Sequence, residues 1–300
     1  MTVPKTGQYV ALTKLTIAIA AKGPFDPNPF LAGLGGAGGA LRKDIEVIIA
    51  HDDTVPSALI PFPFITQIVC RGSSVFQLWG AAIEGAHSTY VAIMDINVPP
   101  GPGWLDAMLA SIEDGTIACY GPVNASYLPT DRRNIGYLVE YVQFHAPIAI
   151  DLGEIPGNNF VVRRDLIEDH ALSKNGFSKT ALLLRWSAAP PIAIDEAVVD
   201  HRKPFVTRDY IVRRYQHGRC YAANRFAANL RLSRLGFAVL TILLPFVRVQ
   251  RIWRHSSRVS GFGSVFLRFL PIIFAAEAAW SFGEFCGYMA GDGGCATMLD

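Results

Sequence analysis

The chain reads as an α/β fold: a mixed, mainly parallel sheet flanked by helices, followed by a C-terminal apolar helical segment. Short β-branched runs alternate with helical stretches from Lys14 to about Val123, the pattern of parallel strands joined by crossover helices. An apolar run, Tyr90-Val91-Ala92-Ile93-Met94, ends in Asp95-Ile96-Asn97 and a Pro/Gly turn, and open α/β sheets hold ligands at such strand ends. The residues after about Leu232 are the most apolar of the chain.

In chain order, strands are expected at Leu15 to Ala20, Ile45 to Ala50, Ile65 to Cys70, Tyr90 to Met94 and Ile117 to Tyr120. Val75 to Ala86 carries apolar residues at Val75, Leu78, Trp79, Ala82 and Ile83, which is a helical face, and Trp104 to Ile112 is a second. The run Gly33 to Gly39 has neither a strand directly before it nor a G-K-[ST] after it, so it reads as a flexible helix end rather than a phosphate cradle. Asn134 to Phe144 is an aromatic amphipathic helix. Gly153 to Arg164 is a turn running into an apolar strand, and by itself the Gly157-Asn158-Asn159 corner asks for a positive φ. Thr180 to Trp186 is helical, Ile192 to Val199 extended, and Thr207 to Ala228 a helix dense in Arg and Tyr.

Gly236 to Val249 and Ser264 to Phe282 are long apolar stretches, but Pro245 divides the first, while Arg268, Pro271 and Glu277 interrupt the second. Neither offers the roughly 20 clean apolar residues of a spanning helix. The basic stretch Arg248 to Arg258, with Trp253 inside it, suggests a segment lying in an anionic membrane surface. Two parts follow, residues 1–231 as the α/β domain and 232–300 as the apolar segment.

A hydrophobic content of 51%, a charged content of 17% and a formal charge of +2 describe a greasy globular chain. They argue against a nucleic-acid partner. A dinucleotide-dependent oxidoreductase is excluded by the first strand's turn, where Ala20-Ala21-Lys22-Gly23-Pro24 stands in place of G-x-G-x-x-G. Cys70, Cys119, Cys220, Cys286 and Cys295 show no C-x-x-C pair and no zinc spacing, and read as reduced thiols. Met1 to Lys5 opens without the apolar core of a secretory signal, so a cytoplasmic location is expected, peripheral at the inner face of the cell membrane.

Four stretches together resemble the bacterial family-2 glycosyltransferases of GT-A fold. They are Ile45-Glu46-Val47-Ile48-Ile49-Ala50-His51-Asp52-Asp53, the Asp95 strand with its Pro-Gly-Trp104-Leu105 sequel, Ile155-Pro156-Gly157-Asn158-Asn159, and Val198-Val199-Asp200-His201. Tyr210 to Arg219 and the tail Gly287 to Gly291 look like members that build cell-surface polysaccharide. The resemblance implies a transferase that moves a sugar from a nucleoside-diphosphate sugar to a lipid-linked or polysaccharide acceptor with a divalent cation, Mg or Mn. It places Ala20, Asp52, Asp53, Asp95 and Ile96 at the nucleotide, Asp95, Asn97 and His201 at the metal, and Gly157, Asn158 and Asn159 on the acceptor side. Arg213, Arg214 and Arg219 form a positive face for the diphosphate.

Two positions depart from the family pattern. Asn97 stands where a second metal-binding acid is usual. Gly176-Phe177-Ser178-Lys179-Thr180 carries no carboxylate where the family places the catalytic base, which leaves Glu168, Asp169, Asp195 and Glu196 as candidates. A charged lysine cannot accept the acceptor's proton. Both departures also fit a catalytically silent GT-A-like binding subunit of a polysaccharide-assembly complex.

Overall fold

The structure is a computed structural model that describes residues 14–23, 25–35, 44–52, 65–128, 130–148, 154–173, 175–186, 189–203, 205–228 and 233–298. The chain opens with β1 (Leu15–Ala21), α1 (Asn28–Leu34), β2 (Ile45–His51) and β3 (Ile65–Val69). There follow α2 (Val75–Glu84), β4 (Tyr90–Asp95), α3 (Trp104–Glu113), β5 (Ala118–Tyr120), β6 (Val123–Ala125) and α4 (Asn134–Glu140), which runs on into a 3₁₀ turn at Val142–Phe144. Next come β7 (Asn159–Arg163), α5 (Arg164–His170), β8 (Leu172–Ser173), β9 (Gly176–Phe177), α6 (Lys179–Leu184), β10 (Ile192–Ala193) and β11 (Val199–His201). The long α7 (Thr207–Ala228) leads to α8 (Arg234–Leu240), α9 (Leu244–Ser256) and α10 (Phe262–Ala290).

The main sheet has the order β10-β5-β7-β4-β1-β2-β3. Every pairing in it is parallel except those of β7, which runs antiparallel to both β4 and β5. β1 is buried at every residue, as a central strand covered on both faces must be, which is why Leu15 to Ala21 is nearly continuous in apolar character. Local chemistry sets the boundaries of α2. Ser74 Oγ accepts from the Gln77 N–H while Gln77 Oε1 accepts from the Ser74 N–H, a reciprocal cap on the first turn.

The sequence places a strand at Asn159 to Arg163 but not its position between β4 and β5, which rests on long-range pairing. Ile192 to Val199 is two short strands rather than one: β10 joins the main sheet, and β11 pairs with β6 in a small sheet of its own. Gly157 itself does not adopt a positive φ, against the expectation for this corner. The Gly36 to Gly39 part of the glycine run lies outside the described residues.

The C-terminal helices pack on the α/β layer. Ile252, Phe262, Val265, Phe266, Ile273 and Ala276 belong to the same buried cluster as the sheet. α10 lies close along α7 because glycines line the seam. A methyl group at Gly218 would strike the Trp280 carbonyl, and one at Gly283 would strike the Tyr215 carbonyl. Pro271 does not break α10, which continues for 29 residues. A proline removes one backbone hydrogen bond, and α10 runs on through Pro271 to Ala290. By length and composition α10 is therefore long and apolar enough to cross a membrane, as the interrupted sequence pattern does not suggest, and the bent pair α8 and α9 passes the same test together. The reduced-thiol expectation also needs correction. Cys220 near the middle of α7 and Cys295 beyond α10 form a disulfide across 5.7 Å between Cα atoms, because the α7–α10 seam brings two cysteines far apart in sequence together.

At the centre of this seam Glu277 is fully buried. It accepts from Arg214 of α7 at 2.6 Å and from Arg248 of α9. The two guanidinium groups also lie 4.2 and 4.4 Å from the centre of the Trp280 ring. Removing one partner of a buried ion pair strands the others without water. Glu277→Ala is expected to lower unfolding free energy by about 3–5 kcal/mol in urea titrations. Adding Arg214→Ala to that variant is expected to cost far less than Arg214→Ala alone, because the two side chains act as one unit.

Candidate active site

The parallel strands bring their carboxyl ends to one edge of the sheet. Ala20 of β1 is in register with Ala50 of β2 on one side and Asp95 of β4 on the other. Asp52, one residue beyond β2, is therefore on the same edge as Asp95, and the Ile96 N–H donates to the Ala20 carbonyl at 3.1 Å. Asp52 is buried, receives the Gly23 N–H at 3.4 Å and lies 3.8 Å from Lys22 Nζ. Asp53 lies outside the described residues.

A pocket opens beside the end of β4. Asp95, Arg133, Glu140, Tyr141, Asn158, His201, Lys203, Tyr210, Arg213 and His217 line it, with Phe76 and Trp79 of α2 on its apolar side. α4 contributes Glu140, the turn before β7 contributes Asn158, and α7 contributes Tyr210, Arg213 and His217. The segment after β11 is tied to the loop after β4: Asp200 N–H donates to the Pro99 carbonyl and Arg202 N–H to the Asn97 carbonyl, each at 3.0 Å. That pairing carries Lys203 to within 3.5 Å of Asp95 Oδ2.

The residues expected at the site from sequence divide sharply. Asp95, Asn158, His201 and Arg213 line the pocket. Asn159 does not: it is buried, with its Oδ1 accepting from Trp104 Nε1 at 2.8 Å and its amide nitrogen donating to the Pro122 and Ala197 carbonyls. It holds β7, α3 and the β11 approach together. Gly157 stands beside the pocket-lining Asn158, with open space where a Cβ would stand.

The expected positive face on α7 is not one face. Successive helical residues point about 100° apart. Arg213 thus meets the pocket while Arg214 turns into the buried Glu277 cluster and Arg219 donates to the Gly291 carbonyl. Of the candidate base acids, Glu168 and Asp169 are exposed on α5, with Glu168 paired to Arg164. Asp195 and Glu196 are exposed between β10 and β11, and Asp195 accepts from the Ile148 N–H. None of the four lines the pocket. Lys179 does not line it either, and donates to the Ile155 carbonyl at 2.9 Å.

Glu140 and Lys203 are the residues that sequence reasoning missed. Glu140 looks like an ordinary helix carboxylate, and only the α4–α7 contact reveals its surroundings. Burial opposes its ionisation, but Arg214 at 3.8 Å, with Arg213 and Lys203 nearby, outweighs burial and holds the carboxyl below its ordinary pKa. Lys203 follows the His201 motif by two residues, which is the one signal the sequence offered.

The expected metal ligands do not assemble as a donor set. Asp95 Oδ1 accepts both the Asn97 N–H at 2.9 Å and the Asn97 amide at 3.2 Å, so the Asn97 side chain is spent on Asp95. Oδ2 faces the Lys203 ammonium. His201 Nδ1 is buried without a hydrogen-bond partner in the protein, and no cluster of three or more His, Cys, Asp or Glu suited to a metal occurs among the described residues. One carboxylate shared with a lysine and one imidazole do not fit a divalent ion, which prefers several oxygen ligands.

No family model and no curated protein sequence matches the chain. Among solved structures it is similar to the mannosyltransferase PcManGT from Pyrobaculum calidifontis, in complex with GDP-Man and Mn2+, with a TM-score of 0.51 at 13% identity over 94% of this chain and 88% of that one. The fold is GT-A-like. S. aureus TarS 1-349 is similar at a TM-score of 0.44 and 11% identity, over 93% of this chain and 92% of that one.

Within the GT-A-like frame, burial drives His201 down to about 4, and its ring packs 5.0 Å from that of Tyr141. The unfolded chain takes up a proton at this residue near pH 6.5, which the native site refuses until about pH 4, so stability falls as pH drops through that window. The loss by pH 5 is expected to be about 2 kcal/mol from His201. Urea titrations at pH 7 and pH 5 should show a smaller pH loss in His201→Gln, whereas an unchanged slope would mean that the ring is free to titrate.

Proposed function

We propose that the chain is a family-2-type glycosyltransferase that moves a sugar from a nucleoside-diphosphate sugar to a lipid-linked or polysaccharide acceptor. The observation that carries this reading is the meeting of Asp95, Lys203, Arg213 and Asn158 in one pocket at the carboxyl edge of a GT-A-like sheet. Asp52 and Ala20 bound the nucleotide side of that edge, and Asn158 bounds the acceptor side.

Glu140 is the proposed general base. Its pocket position and depressed pKa keep a carboxylate available to take the proton of the acceptor hydroxyl as that oxygen bonds to the anomeric carbon. The bond from that carbon to the diphosphate breaks, and the pocket cations receive the charge that leaves. Measured as release of nucleoside diphosphate across a panel of nucleotide sugars with lipid-linked and glycan acceptors, Glu140→Gln is expected to lower kcat by about a hundredfold or more with nucleotide affinity little changed. Full activity in that variant would remove Glu140 from the chemistry.

The silent-subunit reading draws on Lys179, whose ammonium is committed to the Ile155 carbonyl where the family places an acid. Nucleotide-sugar binding without turnover by the unmodified protein would decide for it.

Peripheral attachment at the inner face of the cell membrane belongs to the same proposal. Leu235, Val239, Leu240, Ile242, Leu243, Phe246 and Val247 around the α8–α9 bend are all exposed, close in sequence to Arg251, Arg254 and Arg258. Apolar residues beside a basic stretch suit an anionic bilayer surface. In vesicle co-sedimentation, serine at Leu240, Ile242 and Leu243 together is expected to release the protein from anionic vesicles while leaving it folded. Equal binding by the variant would place the contact elsewhere.

A further inference from the structure

We infer that Lys203 is the built-in cation of this pocket, the group that meets the diphosphate of the nucleotide in place of a divalent metal ion. The inference rests on the nucleotide-sugar reading and deepens it. Four observations support it, and the first is positional. Lys203 is not a surface lysine that happens to swing near Asp95, because the backbone leading to it, Val198 to Arg202, is pinned to the loop after β4. Gly101 N–H donates to the Val198 carbonyl at 2.8 Å, Val199 bridges Pro100, and the Asp200 and Arg202 amides donate to Pro99 and Asn97.

The second observation is the state of Asp95. Both carboxylate oxygens already have partners within the chain, Oδ1 on Asn97 and Oδ2 on Lys203 at 3.5 Å. A divalent ion at Oδ2 would have to displace an ammonium or stand against it. The third is Asn97 itself: an amide donating to Asp95 stabilises one carboxylate, whereas a second acid at this position would face Asp95 and demand a cation between them. Fourth, the Lys203 side chain is 30% exposed, enough to be reached from the pocket opening, and Arg213 lines the same pocket as a second cation. A flexible ammonium and a guanidinium suit phosphate oxygens, and donors of this kind form charge-assisted bonds to them.

The test is calorimetric titration of the full chain with inorganic pyrophosphate, UDP, GDP, dTDP, CDP and ADP, each in EDTA and again with manganese. Pyrophosphate probes the diphosphate site without regard to the base. The expected result is binding of pyrophosphate and of at least one nucleotide in EDTA, with manganese changing affinity by less than about threefold. Lys203→Met is expected to weaken binding in EDTA by about tenfold or more, with Lys203→Arg restoring most of it. The same Lys203→Met chain should gain a manganese dependence, since Asp95 Oδ2 is then freed. Binding by the unmodified chain that requires manganese would overturn the inference and leave the transferase reading standing. This measurement needs no variant, so it decides even if Lys203→Met fails to fold. Pyrophosphate binding through Lys203 with no nucleotide bound would instead sink the transferase reading and keep the anion site. No binding of any probe to the folded protein would sink both.

Discussion

The buried carboxylate of Glu277 is the constraint on which the rest of the molecule depends. A charge without water in a helix seam is tolerable only if cations are brought to it, and α7 and α9 each deliver one, Arg214 and Arg248. Trp280, one turn along α10, offers its ring to both guanidinium groups. The arrangement fixes the rotation of α7 about its own axis. With Arg214 turned inward, helical spacing leaves Arg213, Tyr210 and His217 to line the pocket. The position of the C-terminal helix thus decides which side chains the site receives.

The same arginine links the seam to the chemistry proposed for the pocket. Arg214 lies 2.6 Å from Glu277 and 3.8 Å from Glu140, so one buried cation serves two carboxylates. Glu277 has the closer contact and a second arginine; Glu140 has the weaker share and faces the pocket. That arrangement keeps Glu140 ionised before the reaction, as a base has to be. An acid drawn from the exposed loops lacks that placement: Asp195 and Glu196 are exposed between β10 and β11 and do not line the pocket.

The strands of the parallel half were legible in the sequence because a covered central strand must be apolar on both faces, and Leu15 to Ala21, Ile45 to His51 and Tyr90 to Asp95 announce themselves that way. Pairing partners were not legible. Nothing local in Asn159 to Arg163 says that this strand inserts antiparallel between β4 and β5, and Cys220 and Cys295 carry no sign of each other until α7 and α10 are laid together. Asp95 and His201 could be picked out as strand-end polar residues. Asn159 could be picked out equally well, yet it is a buried three-way hydrogen-bonding bracket rather than a pocket residue. A short motif names residues that matter without saying whether they hold the backbone or face a ligand.

Charge completes the argument about the site. Among the residues lining the pocket, Lys203 stands against Asp95 and Arg213 lies near Glu140, while burial pushes His201 to about 4 and His217 to about 3 and so keeps both rings neutral near pH 7. Arg133 is held by Asp131 at 2.6 Å and leans over the Tyr127 ring, which leaves Lys203 and Arg213 as the cations turned to an incoming anion. Asp95 lies 3.5 Å from Lys203, so the ammonium does not stand uncompensated among the pocket residues. Under the proposed reading, a diphosphate would compete with Asp95 for that ammonium and offer more charge and more oxygens. Neutral histidines matter to this balance: were His201 protonated, the pocket would hold a further cation beside Lys203 and Arg213, and the ion pair with Asp95 would no longer set its resting state. The low pKa of His201 and the lysine beside Asp95 are two parts of one electrostatic arrangement, in which the chain's own side chains balance the charge of the site from which the proposed phosphate contact would start.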